Sequence, residues 1–224
     1  MIKHFYVEKG EGEPLIMLHG NGENCYYFSH QMEEFSNYYH IYSLDTRGHG
    51  KTPRGEKPFT LEQFADDLLG FMDDHNIDKA NILGFSDGGN IAMIFAIKYP
   101  QRVKKLVLNG ANYNTSGTKW FFQFATDINY KITSKIADKN EKLKRKNELL
   151  GIMSNEPNIP EDNIKTIKSE TLVIAGTNDL IKRKHTEKIA SLIPNSKLCI
   201  LKGNHAVARV NPKEYNREVL EFLK

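Results

Sequence analysis

The segment Gly84-Phe85-Ser86-Asp87-Gly88 sets a serine between two glycines, where a strand-like apolar run, Asn81 to Phe85, gives way to a helix-like one, Gly88 to Tyr99. A serine at so tight a strand-to-helix turn is held in a strained backbone conformation that pushes its hydroxyl out of the sheet, and small neighbours supply the room. The N-terminus of the following helix adds backbone donors and a positive dipole end where an oxyanion would form. A serine hydroxyl is a weak nucleophile at neutral pH, so it requires a base, and the base requires a carboxylate to orient it. Of the eight histidines, His205 in Gly203-Asn204-His205-Ala206 follows the last strand-like run and precedes the final helix, on the edge where Ser86 emerges. His4, His30, His40, His75 and His185 stand in polar or helical settings that predict surface positions. Gly176-Thr177-Asn178-Asp179 follows the run Thr171 to Ala175, which brings Asp179 to the same edge, while the strand after the elbow ends in Asn109 and Asn112 with no acid to compete. The chain order Ser86, Asp179, His205 is the order such an elbow architecture uses.

The elements that must position these residues alternate along the chain. Leu15 to His19, His40 to Asp45, Asn81 to Phe85, Val103 to Asn109, Thr171 to Ala175 and Lys197 to Leu201 read as buried strands, with helical periods between them. That alternation specifies an α/β fold with a mostly parallel sheet and helices on both faces. Thr60-Leu61-Glu62-Gln63 has the form of a capping box, and Asn211-Pro212-Lys213-Glu214 opens the last helix with proline at its first position. The alternation breaks between residues 112 and 165, where an aromatic cluster (Trp120, Phe121, Phe122, Phe124), a basic helix over 131–146 and a loop around Pro157 and Pro160 replace the strands. We read 1–111 and 166–224 as the core and 112–165 as a helical lid, since ligands of open α/β sheets bind outside the carboxyl ends of the strands. Trp120, Phe121 and Phe122 suit two roles equally, an apolar acyl pocket or the insertion's own small core.

Composition excludes several classes. At 224 residues, 39% apolar, with 31 basic against 28 acidic side chains, the chain fits one globular core and not a disordered, collagenous or membrane protein. The longest apolar run in a periodic segment, Ile91 to Ile97, is far short of a membrane span, and Met1-Ile2-Lys3-His4 has no leader-like apolar region, so a cytoplasmic location is expected, with no membrane partner. Cys25 and Cys199 are far apart and read as free thiols, with no metal site. Residues 131–146 carry a net +5 and the remainder −2, but Ile132, Ile136, Leu143 and Leu150 fall on one helical face and no base-stacking aromatics interleave the lysines. This predicts a solvated helix face and no nucleic-acid partner. Gly48-His49-Gly50-Lys51-Thr52 ends like a phosphate-binding loop, but Asp45 stands where its first glycine would be and prolines follow. Gly20-Asn21-Gly22 after a strand suggests a dinucleotide site, but Cys25 replaces its third glycine, and that reading leaves Ser86, Asp179 and His205 without a role.

Five motifs in order, His19-Gly20-Asn21-Gly22, Asp45-Thr46-Arg47-Gly48-His49-Gly50, the Ser86 elbow, Gly176-Thr177-Asn178-Asp179 and Gly203-Asn204-His205, give the chain a resemblance to the α/β-hydrolase family over nearly all its length. The resemblance implies a sheet of seven or eight strands, the shortened N-terminal strand pair favouring seven. It implies a Ser86–His205–Asp179 triad and an oxyanion held by the backbone N–H groups of Asn21 and Asp87, with Asp45, Arg47 and His49 mostly structural. It also implies acyl transfer from a small-molecule ester to water without metal or organic cofactor, the acyl group unspecified. Thioesterase, amidase and carbon–carbon bond hydrolysis share the same triad, and the fold also serves as a ligand-binding protein with little turnover. Asp87 is a possible contact for substrate charge: the Ser-Asp-Gly-Gly elbow looks like that of hydrolases acting on amino-acid esters, although an acid at a helix start is also favoured by the dipole alone. Oligomeric state is not encoded in any of these features.

Overall fold

Alternate residues of the second strand, Leu15 and Met17 against Ile16 and Leu18, enter different clusters on the two faces of the sheet, the pattern that a strand covered on both sides must show. In the computed structural model, which describes residues 2–224, the strands are β1 (Tyr6–Lys9), β2 (Glu13–Leu18), β3 (Tyr39–Leu44), β4 (Ala80–Phe85), β5 (Val103–Asn109), β6 (Glu170–Asn178) and β7 (Ser196–Asn204). They form one sheet in the order β1-β3-β2-β4-β5-β6-β7, parallel except for β1, which runs antiparallel to β3. Seven strands agree with the shortened N-terminal pair. The six runs expected as strands are all present, with β6 and β7 each extended beyond their apolar cores to Asn178 and Asn204.

The helices are α1 (Ser29–Phe35), α2 (Leu61–Asp74), α3 (Asp87–Lys98), α4 (Trp120–Ser134), α5 (Glu141–Asn155), α6 (Glu161–Ile164), α7 (Arg183–Leu192), α8 (Val207–Val210) and α9 (Pro212–Leu223). On one face Phe28, Phe35, Tyr215, Val219 and Leu223 pack α1 and α9 against the sheet. On the other, Leu61, Phe64, Leu68 and Met72 of α2, Ile91 and Phe95 of α3, and Ile189 of α7 do the same. The Thr60 hydroxyl caps α2 by accepting the Gln63 N–H at 3.2 Å, but the Gln63 side chain turns to Asp67 instead of closing the box. Among the described residues no helix is long and apolar enough to cross a membrane.

The chain moves from β2 outward to β3, then crosses back over β2 to place β4 on its other side. The order reverses there, so the loops leaving β2 and β4 diverge and open a crevice at their carboxyl ends. Between β5 and β6 the segment contains α4, α5 and α6 and no strand, only the isolated bridge Asn114–Asn158 within it and a second, Thr118–Ile181, to the loop after β6. The basic stretch 131–146 is not the single helix expected. It ends α4 at Ser134, passes a short turn at Ala137–Lys139, and restarts as α5, where the Asn140 side chain accepts the Leu143 N–H at 2.9 Å. The cap sets the rotation of α5 independently, so Ile132, 55% exposed, shares no buried face with Leu143 or Leu150.

Arg47, fully buried, donates from Nε and a terminal nitrogen to the two carboxylate oxygens of Asp67 on α2 at 2.6 and 2.7 Å, and to the Arg54 carbonyl at 2.9 Å. Asp45 accepts the Cys25 and Lys51 N–H groups at 2.7 Å each. These charges tie the loop after β3 to the body of the protein, in keeping with a structural role for Asp45 and Arg47. Breaking a buried pair strands one charge, so Asp67→Ala is expected to lower the unfolding free energy by about 3–5 kcal/mol in urea titration. A loss below about 1 kcal/mol would show that the pair behaves as a solvated one.

Candidate active site

Ser86 has φ +53° and ψ −119°, the strained conformation that the strand-to-helix turn demands. Its own N–H donates to the Asn109 carbonyl at 2.8 Å and its carbonyl accepts from the Asn90 N–H at 3.0 Å, so the turn is fixed from both sides. The flanking glycines are required by backbone, not by flexibility: a Cβ on Gly84 would overlap the Gly88 carbonyl, and one on Gly88 the Leu18 carbonyl of β2. Gly20 comes close in the same way, since a Cβ there would lie 3.2 Å from Cβ of Ser86 and 3.0 Å from the Phe85 ring. The loop after β2 is thereby laid directly against the serine.

The structure brings Ser86, His205 and Asp179 together from three strand ends. Nε2 of His205 lies 3.0 Å from the Ser86 hydroxyl, and Nδ1 lies 2.6 Å from Oδ1 of Asp179. Asp179 is buried and also accepts the Ile181 N–H at 2.9 Å and the Gly176 N–H at 3.3 Å, so its carboxylate is held in place by the turn it belongs to. An ionised carboxylate only accepts, which fixes the imidazole with hydrogen on Nδ1 and a free lone pair on Nε2 facing the serine. Gly110, at φ +60°, completes the fit: a Cβ there would sit 2.9 Å from the His205 ring. The main-chain N–H groups of Asn21 and Asp87 have no protein acceptor among the described residues, and both residues line the cavity over Ser86.

That cavity has a volume of about 450 Å³ and is walled by the loops after β2, β4, β6 and β7 together with Phe122, Gln123, Met153 and Glu156 of the segment between β5 and β6. Apart from His205, the charged side chains on its wall are Glu23, Asp87 and Glu156, all carboxylates. Burial pushes each of them above the ordinary carboxylate range. At Asp87 this is opposed by hydrogen bonds from the side chains of Asn21, at 2.9 Å, and Asn90, at 3.2 Å. Glu156 accepts the Leu61 N–H at 2.8 Å, and the charge of Asp87 adds to the effect of its burial. Glu23 keeps one buried oxygen without a partner, and its burial is partly offset by the charge of Arg209. Among the described residues no group of three or more His, Cys, Asp or Glu side chains is arranged to hold a metal ion.

Several sequence expectations change at this point. Phe122 lines the cavity, whereas Trp120 and Phe121 face outward, 73% and 53% exposed, and build neither an acyl pocket nor a small core. His185 is buried, not on the surface. It stacks on Tyr113 at 4.1 Å, accepts the Tyr113 N–H on Nε2 at 3.1 Å, and its pKa is pushed down to about 4 by burial. His4 is also withdrawn from solvent, edge-on to Phe71. Glu23, Glu156 and Gly110 carried no motif that could have marked them.

A family model described as the α/β hydrolase fold matches residues 13–130. The chain belongs to the α/β-hydrolase family. Serine hydrolase BPHL of Mus musculus is 28% identical over 98% of this chain and 82% of its own length. The (E)-2-((N-methylformamido)methylene)succinate hydrolase of Acinetobacter baylyi is 35% identical over 51% of this chain. The chain spans less than half the length of several of the curated relatives it matches, 44% for that hydrolase and 31% for epoxide hydrolase 4 of Mus musculus. Among solved structures, the meta-cleavage product hydrolase of Pseudomonas fluorescens IP01 aligns with a TM-score of 0.79 at 26% identity, covering 99% of this chain and 94% of that one. A thermophilic esterase from Thermogutta terrifontis aligns at 0.81 and 20% identity, covering 99% and 93%, and shares the fold. Hydrolases thus recur among the relatives of this α/β hydrolase, named for different substrates.

The packing at the elbow generates a stability prediction. Gly88→Ala drives a methyl into backbone that has no rotamer to move, so it should destabilise the protein by at least the overpacking range of about 1–3 kcal/mol. Thermal unfolding measures this, and an unchanged midpoint would contradict the close approach of β2 and the elbow.

Proposed function

We propose that this α/β hydrolase cleaves carboxylic esters of small molecules, with Ser86 as nucleophile, His205 as base and Asp179 as its orienting partner. The observation that carries the reading is the hydrogen-bonded chain from the Ser86 hydroxyl through both ring nitrogens of His205 to a buried carboxylate. Nε2 removes the hydroxyl proton as Oγ attacks the ester carbonyl, and Asp179 stabilises the imidazolium that results. The oxyanion is received by the N–H groups of Asn21 and Asp87, where loss of one such donor typically costs about 2.7–4 kcal/mol of transition-state stabilisation. His205 returns the proton to the departing alcohol, and a water activated in the same way hydrolyses the acyl-enzyme. Each step uses only groups of this chain. Residues 112–165 act as the lid of the 1–111 and 166–224 core.

We further read the enzyme as favouring acyl groups that carry an amine. Support comes from the wall of the cavity, which carries the carboxyl groups of Glu23, Asp87 and Glu156 and no lysine or arginine. Asp87, next to the nucleophile, is the nearest of the three in sequence to the reacting atoms. An anionic acyl group would meet repulsion from all three.

Intact-mass measurement after treatment with a serine-reactive organophosphonate tests the nucleophile. One adduct on the wild type and none on Ser86→Ala is expected; no adduct on the wild type would overturn the triad and leave a ligand-binding protein. For substrate charge, Asp87→Asn should lower kcat/KM on an amino-acid ester about tenfold more than on a neutral ester of equal size, a difference of about 1.4 kcal/mol. Equal losses on both would remove Asp87 from recognition. The pH dependence follows from the direction of the carboxyl shifts. Acids with raised pKa values are charged above the raised range and neutral below it, so the preference for amine-bearing over neutral esters is greatest on the alkaline side of that range. It should decline as pH falls, beginning above the range of ordinary carboxylates. Expressed as a ratio of kcat/KM values, the measurement cancels any pH effect common to both substrates, and a ratio independent of pH would contradict the role of the three acids.

A further inference from the structure

Helix α4 is amphipathic in the wrong sense for a soluble protein. Its inward side carries buried Thr126 and Thr133 with Gln123 and Asp127, flanked by half-buried Phe122 at the cavity and Tyr130 against Gly151 of α5. Those groups bond to α5: Thr133 donates to the Asn147 side chain at 2.9 Å, Ser154 to Asp127 at 2.5 Å, and Gln123 to the Met153 carbonyl at 3.2 Å. Its outward face carries Trp120, Phe124, Ile128 and Ile132 at intervals of four residues, with Phe121 beside them, and these are 41–73% exposed. Intervals of four keep side chains on one side of a helix, so the five form a continuous apolar stripe in water. Exposed patches of this kind mark interaction surfaces.

The charges around the stripe select what covers it. Lys131 and Lys135 stand exposed along its far end and the turn adds Lys139, within a stretch, 131–146, that carries a net +5 against −2 for the remainder; Lys144 and Arg145 of α5 instead line a cavity against residues 48–59. The one acid within α4, Asp127, is turned inward to Gln123 and Ser154. A second copy docking through the same patch would set like charge against like, because a two-fold interface is self-complementary. An apolar stripe with a tryptophan at one end and lysines at the other matches an anionic bilayer surface, where apolar side chains enter the headgroup boundary and the lysines meet lipid charge.

We propose that α4 and the adjoining basic turn form a docking surface for anionic phospholipid membranes, on which the protein lies peripherally. This replaces the expectation of a solvated face without a membrane partner, which treated the lysines and the aromatic cluster separately. The reading is independent of the chemistry at Ser86.

Trp120 is the single tryptophan, so the protein carries its own reporter on the proposed surface. Adding vesicles of phosphatidylserine and phosphatidylcholine should shift its emission to the blue, protect it from iodide, and carry the protein into the vesicle fraction. Pure phosphatidylcholine should do so weakly, and high salt should reverse the binding. Replacing Phe124 and Ile128 by serine, both exposed and outside the catalytic cavity, should abolish binding with circular dichroism unchanged. Lys131→Glu and Lys135→Glu should each weaken it about fivefold or more. Absence of any response to anionic vesicles would overturn the proposal. So would a stable dimer in sedimentation analysis, with Trp120 already protected from iodide in the absence of lipid, since the stripe would then belong to a second copy.

Discussion

The arrangement over Ser86 depends on one constraint, the contact of three backbones at the turn between β4 and α3. Gly84 touches the start of α3, Gly88 touches the end of β2, and Gly20 of the loop after β2 touches Ser86 itself. Because the strand order reverses between β2 and β4, this is where the sheet would otherwise gape. Closing it without side chains leaves the serine in a left-handed conformation with its hydroxyl raised, and leaves main-chain N–H groups on both sides without internal acceptors. The strain at Ser86, of order 1–3 kcal/mol, persists because β5 and α3 hold both of its peptide groups. The proposed nucleophile and the proposed oxyanion site are thus two consequences of one packing event.

Electrostatics then distinguishes this cavity from the fold that contains it. Relatives on the same scaffold are named for different substrates, so the sheet and the elbow do not choose the substrate. In the proposed function the choice falls to side chains that the loops bring in: Asp87 from the elbow, Glu23 from the loop after β2, and Glu156 from the end of α5, all three on the cavity wall. Gathering three acids around one space disfavours their charged forms unless something compensates, and the protein compensates incompletely. Asn21 and Asn90 donate to Asp87 and Leu61 donates to Glu156, but a buried oxygen of Glu23 has no partner. Unspent negative potential in a concave site is a means of concentrating cations.

Legibility in the sequence followed the range of the interactions involved. Strands covered on both faces appear as unbroken apolar runs, and the order Ser86, Asp179, His205 needed only those runs and the loops after them. The boundary between α4 and α5 was lost because lysines and isoleucines continue the helical period across it, while one side-chain cap at Asn140 restarts the count. His185 looked like a surface residue of a polar helix; a ring stacked on Tyr113, far away in sequence, draws it inside. Glu23 and Glu156 lie 133 residues apart on segments without motifs, and only the fold makes them neighbours of one cavity. The inversion of α4 was hidden for a related reason, since a hydrophobic period states that a face is apolar without stating which way it points.

The insertion between β5 and β6 is fastened where it matters for chemistry. The Asn21 side chain donates both to Asp87 and to the Leu149 carbonyl of α5, so one amide links the two proposed oxyanion residues to the helix above them. Glu148, one residue before Leu149, pairs with Arg54 at 2.7 Å, and Arg54 supplies a carbonyl to the buried Arg47 guanidinium. Glu156, at the other end of α5, closes on the first N–H of α2. These polar contacts, each worth on the order of 1 kcal/mol, add to an apolar seam, since Ile152 of α5, Ile159 and Ile164 of α6 join the buried cluster of α2 and α3 on that face of the sheet. With the segment seated by both kinds of contact, the Asn21 amide makes the position of α5 and the orientation of the Asp87 carboxylate a single linked arrangement.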